Sequence, residues 1–182
     1  MKADNRADCC PKRLKPSAQN EPVADRILIL GNSGSGKSTL ALHLAGPDQA
    51  VLSLDAVTWN EDQTRRSLEA TMADLTAFCT ANPSWIIEGC YAEVVAALAP
   101  RADELIFLNP GVDVCLAHAN ARPWEPDKWA TPAEQDAFLS QLRDWIASYP
   151  TRDDEFGLRA QRREYEYYPR QKREHYAPRT LD

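Results

Sequence analysis

Short apolar runs alternate with helical patterns from Arg26 onward, and this alternation indicates the fold class. Four runs have the length and composition of buried strands; they cover residues 26–30, 51–54, 84–88 and 104–108. Between them, apolar residues recur at helical spacing over about 37–45, 64–81 and 91–99. Nearly all-apolar strands separated by helices predict a parallel sheet covered on both faces, which is a three-layer α/β architecture.

The pattern changes after residue 110, where helices follow one another without strands. Helices are predicted over 112–121 and 132–148, and Thr131 caps the second. We expect the buried face of that second helix to consist of Phe138, Leu142, Trp145, Ile146 and Tyr149. A last charged helix is predicted near Thr151, and no apolar run after residue 149 offers a fifth strand. The sequence therefore predicts a short sheet with a helical lid over about 111–150.

Composition divides the chain into three parts. Residues 1–25 carry charged residues and prolines with almost no apolar periodicity, which predicts a disordered leader. Residues 26–158 form the predicted α/β domain, and residues 159–182 form a charged helix or tail rich in Arg and Tyr. A chain of 182 residues suits one domain with a core of its own.

Charge and cysteine content indicate which partners and which compartment to expect. The balance of 21 basic against 27 acidic residues predicts no general attraction to nucleic acid or lipid. Five cysteines without C-x-x-C spacing indicate reduced thiols, and no apolar stretch reaches membrane-spanning length, so we expect a cytoplasmic protein. His43 and His118 lack ligand spacing with another His or Cys; we expect partly buried helix residues and no metal site built from protein ligands alone.

A phosphate-binding loop follows the first predicted strand. Residues 31–38 read G-N-S-G-S-G-K-S, which is the G-x-x-x-x-G-K-[ST] pattern between a strand and a helix. Lys37 would reach the β- and γ-phosphates of ATP, and the Ser38 hydroxyl would bind Mg²⁺. The predicted nucleotide-binding residues are Gly31, Asn32, Ser33, Gly34, Ser35, Gly36, Lys37, Ser38 and Thr39.

Polar residues also follow the other predicted strands. Ligands of open parallel sheets bind at the carboxyl ends of the strands, where Asp55, Glu88 and Asn109 stand in this chain. A carboxylate there can hold Mg²⁺ through water or accept a proton from an attacking hydroxyl. The alternative for Asp55 is a helix N-cap, and Gly89 beside Glu88 can simply mark a turn. Trp59 either stacks on a substrate or walls the cleft.

These motifs in order, 27–40, 54–59, 85–91 and 102–108, resemble the small adenylate-kinase-like and shikimate-kinase-like P-loop proteins often labelled topology-modulation proteins. The resemblance covers roughly residues 26–158. It implies a nucleoside-monophosphate-kinase-type fold, ATP and Mg²⁺ binding, and phosphoryl transfer to a small acceptor. By that likeness Asp55 matches the acidic residue near the acceptor, and Glu88 matches the carboxylate that orients metal-bound water.

Besides the absence of an apolar run for a fifth strand, the chain departs from that family at three points. Members usually carry Asp at the position of Glu88 and at the position of Asn109. They also bring several arginines onto the phosphates, whereas the predicted lid supplies only Arg122 and Lys128. We count Arg122 with Lys37 and Asp55 as catalytic candidates. Three more arginines could turn inward, namely Arg143, Arg152 and Arg159.

Two functions therefore compete. The first is ATP- and Mg²⁺-dependent phosphoryl transfer to a nucleoside monophosphate or a hydroxylated metabolite. The second is a nucleotide-dependent switch that binds nucleic acid or protein through the segment from Arg159 to Arg179, which holds seven Lys/Arg and four tyrosines. A solvated helix with pairs such as Arg162–Glu166 is the favoured interpretation of that segment, so a nucleic-acid partner is not favoured.

Overall fold

The computed structural model describes residues 24–176, so most of the predicted leader and the last six residues of the predicted tail lie outside the described residues. Five parallel strands form one sheet in the order β2-β3-β1-β4-β5. They are β1 (Arg26–Gly31), β2 (Ala50–Ser53), β3 (Trp85–Gly89), β4 (Glu104–Leu108) and β5 (Gln171–His175). The four strands expected from the apolar runs are confirmed to within one residue at each end.

Seven α-helices connect or cover the strands within the described part of the chain. They are α1 (Lys37–Leu44), α2 (Asp55–Thr58), α3 (Leu68–Ala81), α4 (Ala92–Leu98), α5 (Val112–Asn120), α6 (Pro132–Ser148) and α7 (Leu158–Tyr167), and a 3-10 turn (Ala99–Arg101) follows α4. The helix expected over 64–81 begins four residues late, because Ser67 is its N-cap and accepts a hydrogen bond from the Ala70 amide.

The two faces of the sheet pack into separate apolar layers, as its alternating side chains require. Leu28 and Ile87 face one layer, which α3, α4 and α7 cover. Ile27 and Ile29 face the other layer, where Leu40 of α1 packs against them. A third, smaller cluster joins α5 to α6. The expected three-layer α/β fold with a phosphate loop after β1 and helices over the strand ends is confirmed.

The expectation that no fifth strand follows residue 149 was wrong. β5 pairs with β4 along its whole length, although its sequence Q-K-R-E-H contains no apolar residue. β5 is the edge strand of the sheet, so its side chains form hydrogen bonds and ion pairs with polar neighbours instead of packing into a core. Arg173 donates to the carboxylate of Glu104, which is buried on β4. Glu174 accepts two hydrogen bonds from Arg162 on α7, with an Nη2–Oε1 distance of 2.6 Å.

The buried face predicted for α6 was wrong in part. Ile146 and Tyr149 are buried, but Phe138 and Trp145 are 39% and 36% exposed. Leu139, which lies one residue from the predicted stripe, is buried in place of Phe138. The two exposed aromatic residues pack sideways against other rings: Phe138 contacts Trp129, and Trp145 contacts Phe156.

The positions of both helix histidines also differ from expectation. His43 and His118 are exposed, not partly buried, and His118 lies on the side of α5 that meets the phosphate loop. Among the helices of residues 24–176, none combines the length and the hydropathy needed to cross a bilayer.

Candidate functional site

The phosphate loop leaves β1 at Gly31 and enters α1 at Lys37. Gly34 and Gly36 have φ angles of 76° and 94°, which are left-handed conformations that glycine adopts without strain. Gly36 is the N-cap of α1, so the unpaired amides of the first helical turn open toward the loop. Amides arranged in this way form an anion-binding concavity at the carboxyl edge of the sheet.

Two glycines in the loop are also required by close packing. A Cβ atom on Gly31 would overlap the carbonyl oxygen of Leu108 at the end of β4. A Cβ on Gly34 would overlap the carbonyl oxygen of Cys115 on α5. The loop therefore rests directly on the neighbouring strand and on the first helix of the lid region.

Lys37 is folded back over the loop. Its ammonium group donates to the carbonyl of Asn32 at 2.9 Å, and only 9% of the residue is exposed. The Asn32 side chain turns the other way and donates to the carbonyl of Ile146 on α6 at 3.2 Å. Of the predicted nucleotide-binding residues, Asn32 therefore contributes its backbone to the loop and its side chain to the lid.

Ser38 and Glu88 lie side by side, as their places in the sheet predict. The Ser38 hydroxyl donates to Glu88 Oε1 at 3.0 Å. Glu88 lies on β3 beside β1, and only 4% of it is exposed. A hydroxyl and a carboxylate oxygen at this spacing form a suitable pair of oxygen donors for a hard cation beside the phosphate loop.

Asp55 begins α2, directly beyond the end of β2. The N-cap alternative is not realised, since the cap position is Leu54 and α2 has no side-chain cap. The carboxylate instead accepts a hydrogen bond from the hydroxyl of Tyr91, which itself accepts a hydrogen bond from the indole Nε1 of Trp59 at 2.7 Å. Burial and the neighbouring Asp55 charge raise the pKa of Tyr91, which keeps the phenol protonated and able to donate.

One cleft of about 1010 Å³ is lined by Lys37, Ser38, Asp55 and Glu88. It runs from Asp55 across the phosphate loop to the opposite wall, and the polar residues of that wall include His118, Arg122, Lys128 and His175. His118 donates through Nδ1 to the carbonyl of Gly34 at 2.7 Å. Lys128 is paired with Glu125 at 2.8 Å. Sequence reasoning missed the two histidines as cleft residues, because neither belongs to a recognisable motif.

The three further arginines considered for the lid do not line this cleft. Arg143 donates to Asn120, and Arg159 pairs with Asp153 on an exposed surface. Arg152 pairs with Asp154, and its guanidinium carbon lies 3.3 Å from the ring centre of Trp145. Arg122 is therefore the one arginine of the described chain that lines the cleft.

Cys90 follows β3 and is half-buried. Burial raises its pKa to about 12, so this thiol stays protonated and is not a nucleophile at neutral pH. Asn109, the residue after β4, donates to Glu174 at 3.5 Å and thus connects to the Arg162–Glu174 pair. Burial, the largest single effect, would raise the pKa of Glu174, but the hydrogen bonds from Arg162, Tyr176 and Asn109 and the Arg162 charge together lower that pKa.

The basic and aromatic segment after residue 158 is largely involved in internal contacts. The predicted ion pair between Arg162 and Glu166 was wrong, because β5 brings Glu174 next to Arg162, and these two residues form the ion pair instead. Lys172 donates to the Tyr165 and Glu166 carbonyls, and the buried Tyr168 donates to the Ala102 carbonyl at 2.9 Å. Arg179, the last basic residue of that segment, lies outside the described residues.

The solved structures compared with this chain are distantly similar to it. No protein-family model matches the chain, and no curated protein matches it. A solved gluconokinase from Sinorhizobium meliloti 1021 is 16% identical over 74% of this chain and 81% of that one, with a TM-score of 0.44. A shikimate kinase from Bacteroides thetaiotaomicron is 18% identical over 79% and 97%, with a TM-score of 0.39.

A deoxyadenosine kinase from M. mycoides, solved with bound dATP, is 10% identical over 71% of this chain and 88% of that one, with a TM-score of 0.38. Likenesses this remote assign neither a family nor a substrate, and the resemblance to the topology-modulation proteins stays a prediction. The chain's own residues establish the fold class: a five-stranded parallel α/β protein with a phosphate-binding loop between its central strand and its first helix.

Proposed function

We propose that this protein transfers the γ-phosphoryl group of ATP to a small-molecule acceptor with the help of Mg²⁺. One observation carries the proposal: a single cleft holds the phosphate loop with Lys37, the Ser38–Glu88 pair and the carboxylate of Asp55. Phosphoryl transfer needs a phosphate cradle, a cation site and a group that handles the acceptor proton, and these residues supply the three parts.

The donor set fits Mg²⁺, which prefers oxygen ligands and keeps several of its waters. Ser38 would bind the ion directly and Glu88 would orient its water. When bound, the ion would neutralise charge on the β- and γ-phosphates. Lys37 would leave the Asn32 carbonyl, which it now contacts at 2.9 Å, and turn to the γ-phosphate. Arg122 would stabilise the charge on the transferring group from the opposite wall.

Asp55 takes the role of proton acceptor at the other end of the cleft. An acceptor hydroxyl oxygen attacks the γ-phosphorus and its proton passes to Asp55. The bond from the γ-phosphorus to the bridging oxygen breaks, and ADP leaves with the electron pair. A nucleoside monophosphate, whose attacking phosphate oxygen carries no proton, would need Asp55 only for orientation.

The small number of cationic side chains in the cleft favours a second candidate, a nucleotide-dependent switch. Arg122 is the one arginine lining the cleft within residues 24–176, and transfer is mainly electrostatic stabilisation. The internal pairing of Arg162, Lys172 and Arg173 argues against this candidate, because those cations hold β5 and α7 in place instead of forming an open binding surface.

The test is ADP release from Mg²⁺–ATP across a panel of nucleoside monophosphates and hydroxylated metabolites. We expect one acceptor class to stimulate release strongly, and Lys37→Ala to lower that rate about 10²–10³-fold. Lys172→Ala, the same change on β5, serves as the matched control and should keep the wild-type rate. Full activity of Lys37→Ala would show that the loop assignment is wrong. Slow hydrolysis that no acceptor stimulates would establish the switch instead.

A further inference from the structure

A chain of hydrogen bonds runs from the 41%-exposed Trp59 through the buried Tyr91 to the Asp55 carboxylate. The indole Nε1–H of Trp59 donates to the Tyr91 hydroxyl oxygen at 2.7 Å, and the Tyr91 hydroxyl proton is donated to Asp55 Oδ1. Within residues 24–176 no group donates to the other oxygen of Asp55, Oδ2. One oxygen of Asp55 is thus bound by Tyr91, the other has no donor in this part of the chain, and Asp55 itself lines the cleft.

Asp55 needs such support because little else fixes its side chain. It is exposed, and it begins a helix of only four residues. An exposed Asp at such a position samples several staggered rotamers, and only some of them direct an oxygen toward an acceptor. A proton acceptor works only within hydrogen-bond reach of its proton, so loss of orientation lowers the rate.

Tyr91 has the rigidity that Asp55 lacks. The residue is 2% exposed, and its ring meets Phe156 edge-on with ring centres 5.3 Å apart. The guanidinium of Arg65 lies 4.6 Å from the centre of the Tyr91 ring. Arg65 is fixed in turn by Glu155 at 2.9 Å and by the Thr58 carbonyl at 3.1 Å.

A small loop brings Trp59 and Arg65 to the same tyrosine. The two residues form an antiparallel bridge, and the Asn60 amide bonds to the Thr64 carbonyl at 2.9 Å. The turn between them includes Gln63 at a φ of 64°. This loop therefore presents an indole N–H to the Tyr91 hydroxyl and a guanidinium to the Tyr91 ring from one short stretch of chain.

We propose that Tyr91 is a positioning residue for Asp55, held by Trp59 and Arg65 so that Asp55 Oδ2 is presented to the phosphoryl acceptor. The inference rests on the proposed function, because it assigns a partner to the group that orients and deprotonates the acceptor. Trp59 is not among the residues that line the cleft, so the expectation that it stacks on a substrate or walls the cleft was wrong. Its N–H instead fixes the direction of the Tyr91 hydroxyl.

Tyr91→Phe is the test, since it removes one oxygen and keeps the ring contacts. We expect kcat for acceptor-dependent ADP release to fall about 10- to 100-fold, with KM for ATP within about twofold of wild type. Tyr168→Phe is the matched control: it also removes a buried tyrosine hydroxyl, one that bonds to the Ala102 carbonyl far from Asp55. It should keep the wild-type kcat.

A double-mutant cycle separates positioning from loss of structure. Asp55→Asn alone should lower kcat about 10²–10⁴-fold. If Tyr91 acts through Asp55, adding Tyr91→Phe to Asp55→Asn should lower kcat little further. A wild-type kcat in Tyr91→Phe, or a full additional loss on top of Asp55→Asn, would overturn the proposal.

The Trp59 indole N–H resonance tests the hydrogen-bond chain without any substrate. We expect Asp55→Asn to shift this resonance in the wild-type background but not in the Tyr91→Phe background. That result would support the chain even if no acceptor ever stimulated turnover, in which case the proposed function alone would fail. If Asp55→Asn leaves the indole resonance unchanged in the wild-type background, the hydrogen-bond chain is refuted, whatever the activity.

Discussion

Replacing Gly34 or Gly36 with alanine separates two physical reasons for a glycine in the phosphate loop. Both residues have positive φ, and an L side chain in that region costs about 1–2 kcal/mol. Alanine recovers about 0.4–1 kcal/mol by restricting the unfolded chain. A Cβ on Gly36 meets nothing within 4 Å, so Gly36→Ala should lose only the difference, about 1 kcal/mol of unfolding free energy.

Gly34→Ala carries a further cost, because its Cβ would overlap the Cys115 carbonyl on α5. Backbone atoms cannot rotate away, so the loop or the helix must shift, at a cost typical of overpacking, about 1–3 kcal/mol. We therefore expect Gly34→Ala to lose about 2–4 kcal/mol in total. Gly46→Ala, an exposed position with open space and ordinary φ, gives the baseline of a substitution without strain.

Urea unfolding followed by fluorescence measures all three variants. With a slope of about 2 kcal/mol/M, the midpoint of Gly34→Ala should lie about 0.5–1.5 M below that of Gly36→Ala. Equal midpoints for these two variants would refute the contact between the loop and α5. A midpoint of Gly36→Ala equal to that of Gly46→Ala would refute the left-handed conformation at the start of α1.

Three other substitutions test the site and the edge strand. Arg173→Met leaves the buried Glu104 carboxylate without its guanidinium partner, so urea unfolding should show a free energy of unfolding lower by about 2–4 kcal/mol. Adding Glu104→Gln to Arg173→Met should recover part of that loss. The pKa of Glu174 is lowered in the folded state, so its contribution is present above the ordinary Glu pKa of about 4.3 and is lost as the pH falls through the folded value. Glu174→Gln should therefore flatten the rise of Tm with pH in the acid range, and an unchanged profile would contradict the pairing with Arg162. Ser38→Ala should weaken ATP binding in calorimetry more with Mg²⁺ present than with EDTA, and an equal loss in both conditions would argue against a metal contact at this hydroxyl.

The core of the site was predictable because it depends on local motifs and on one rule of sheet geometry. The loop pattern fixes where Lys37 and Ser38 stand relative to β1. The rule that parallel strands present their carboxyl ends at one edge predicts that Glu88 approaches the loop, and the 3.0 Å contact with Ser38 agrees. The Tyr91–Asp55 contact was not predictable in the same way, because it depends on how α2 and the segment after β3 turn.

β5 was missed because apolar periodicity detects strands only where they are buried. Its five residues are polar, and the edge position makes that tolerable. One signal was available in the sequence: Glu104 opens the apolar strand β4, and a buried carboxylate requires a cation. That requirement points to a basic segment packed alongside β4, which Arg173 provides. The arginine-rich tail could thus have been interpreted as a part of the sheet.

The phosphate loop and the lid helices are joined by contacts that the loop motif itself does not specify. His118 on α5 donates to the Gly34 carbonyl at 2.7 Å, and Asn32 donates to the Ile146 carbonyl on α6 at 3.2 Å. Asn32 occupies a variable position of G-x-x-x-x-G-K-[ST], so its side chain can bond to α6 while its backbone remains part of the loop. Any movement of α5 or α6 must break these contacts or carry the loop with it. The loop, α5 and α6 are therefore mechanically coupled, and if the segment predicted as a lid moves, we expect the loop to move with it.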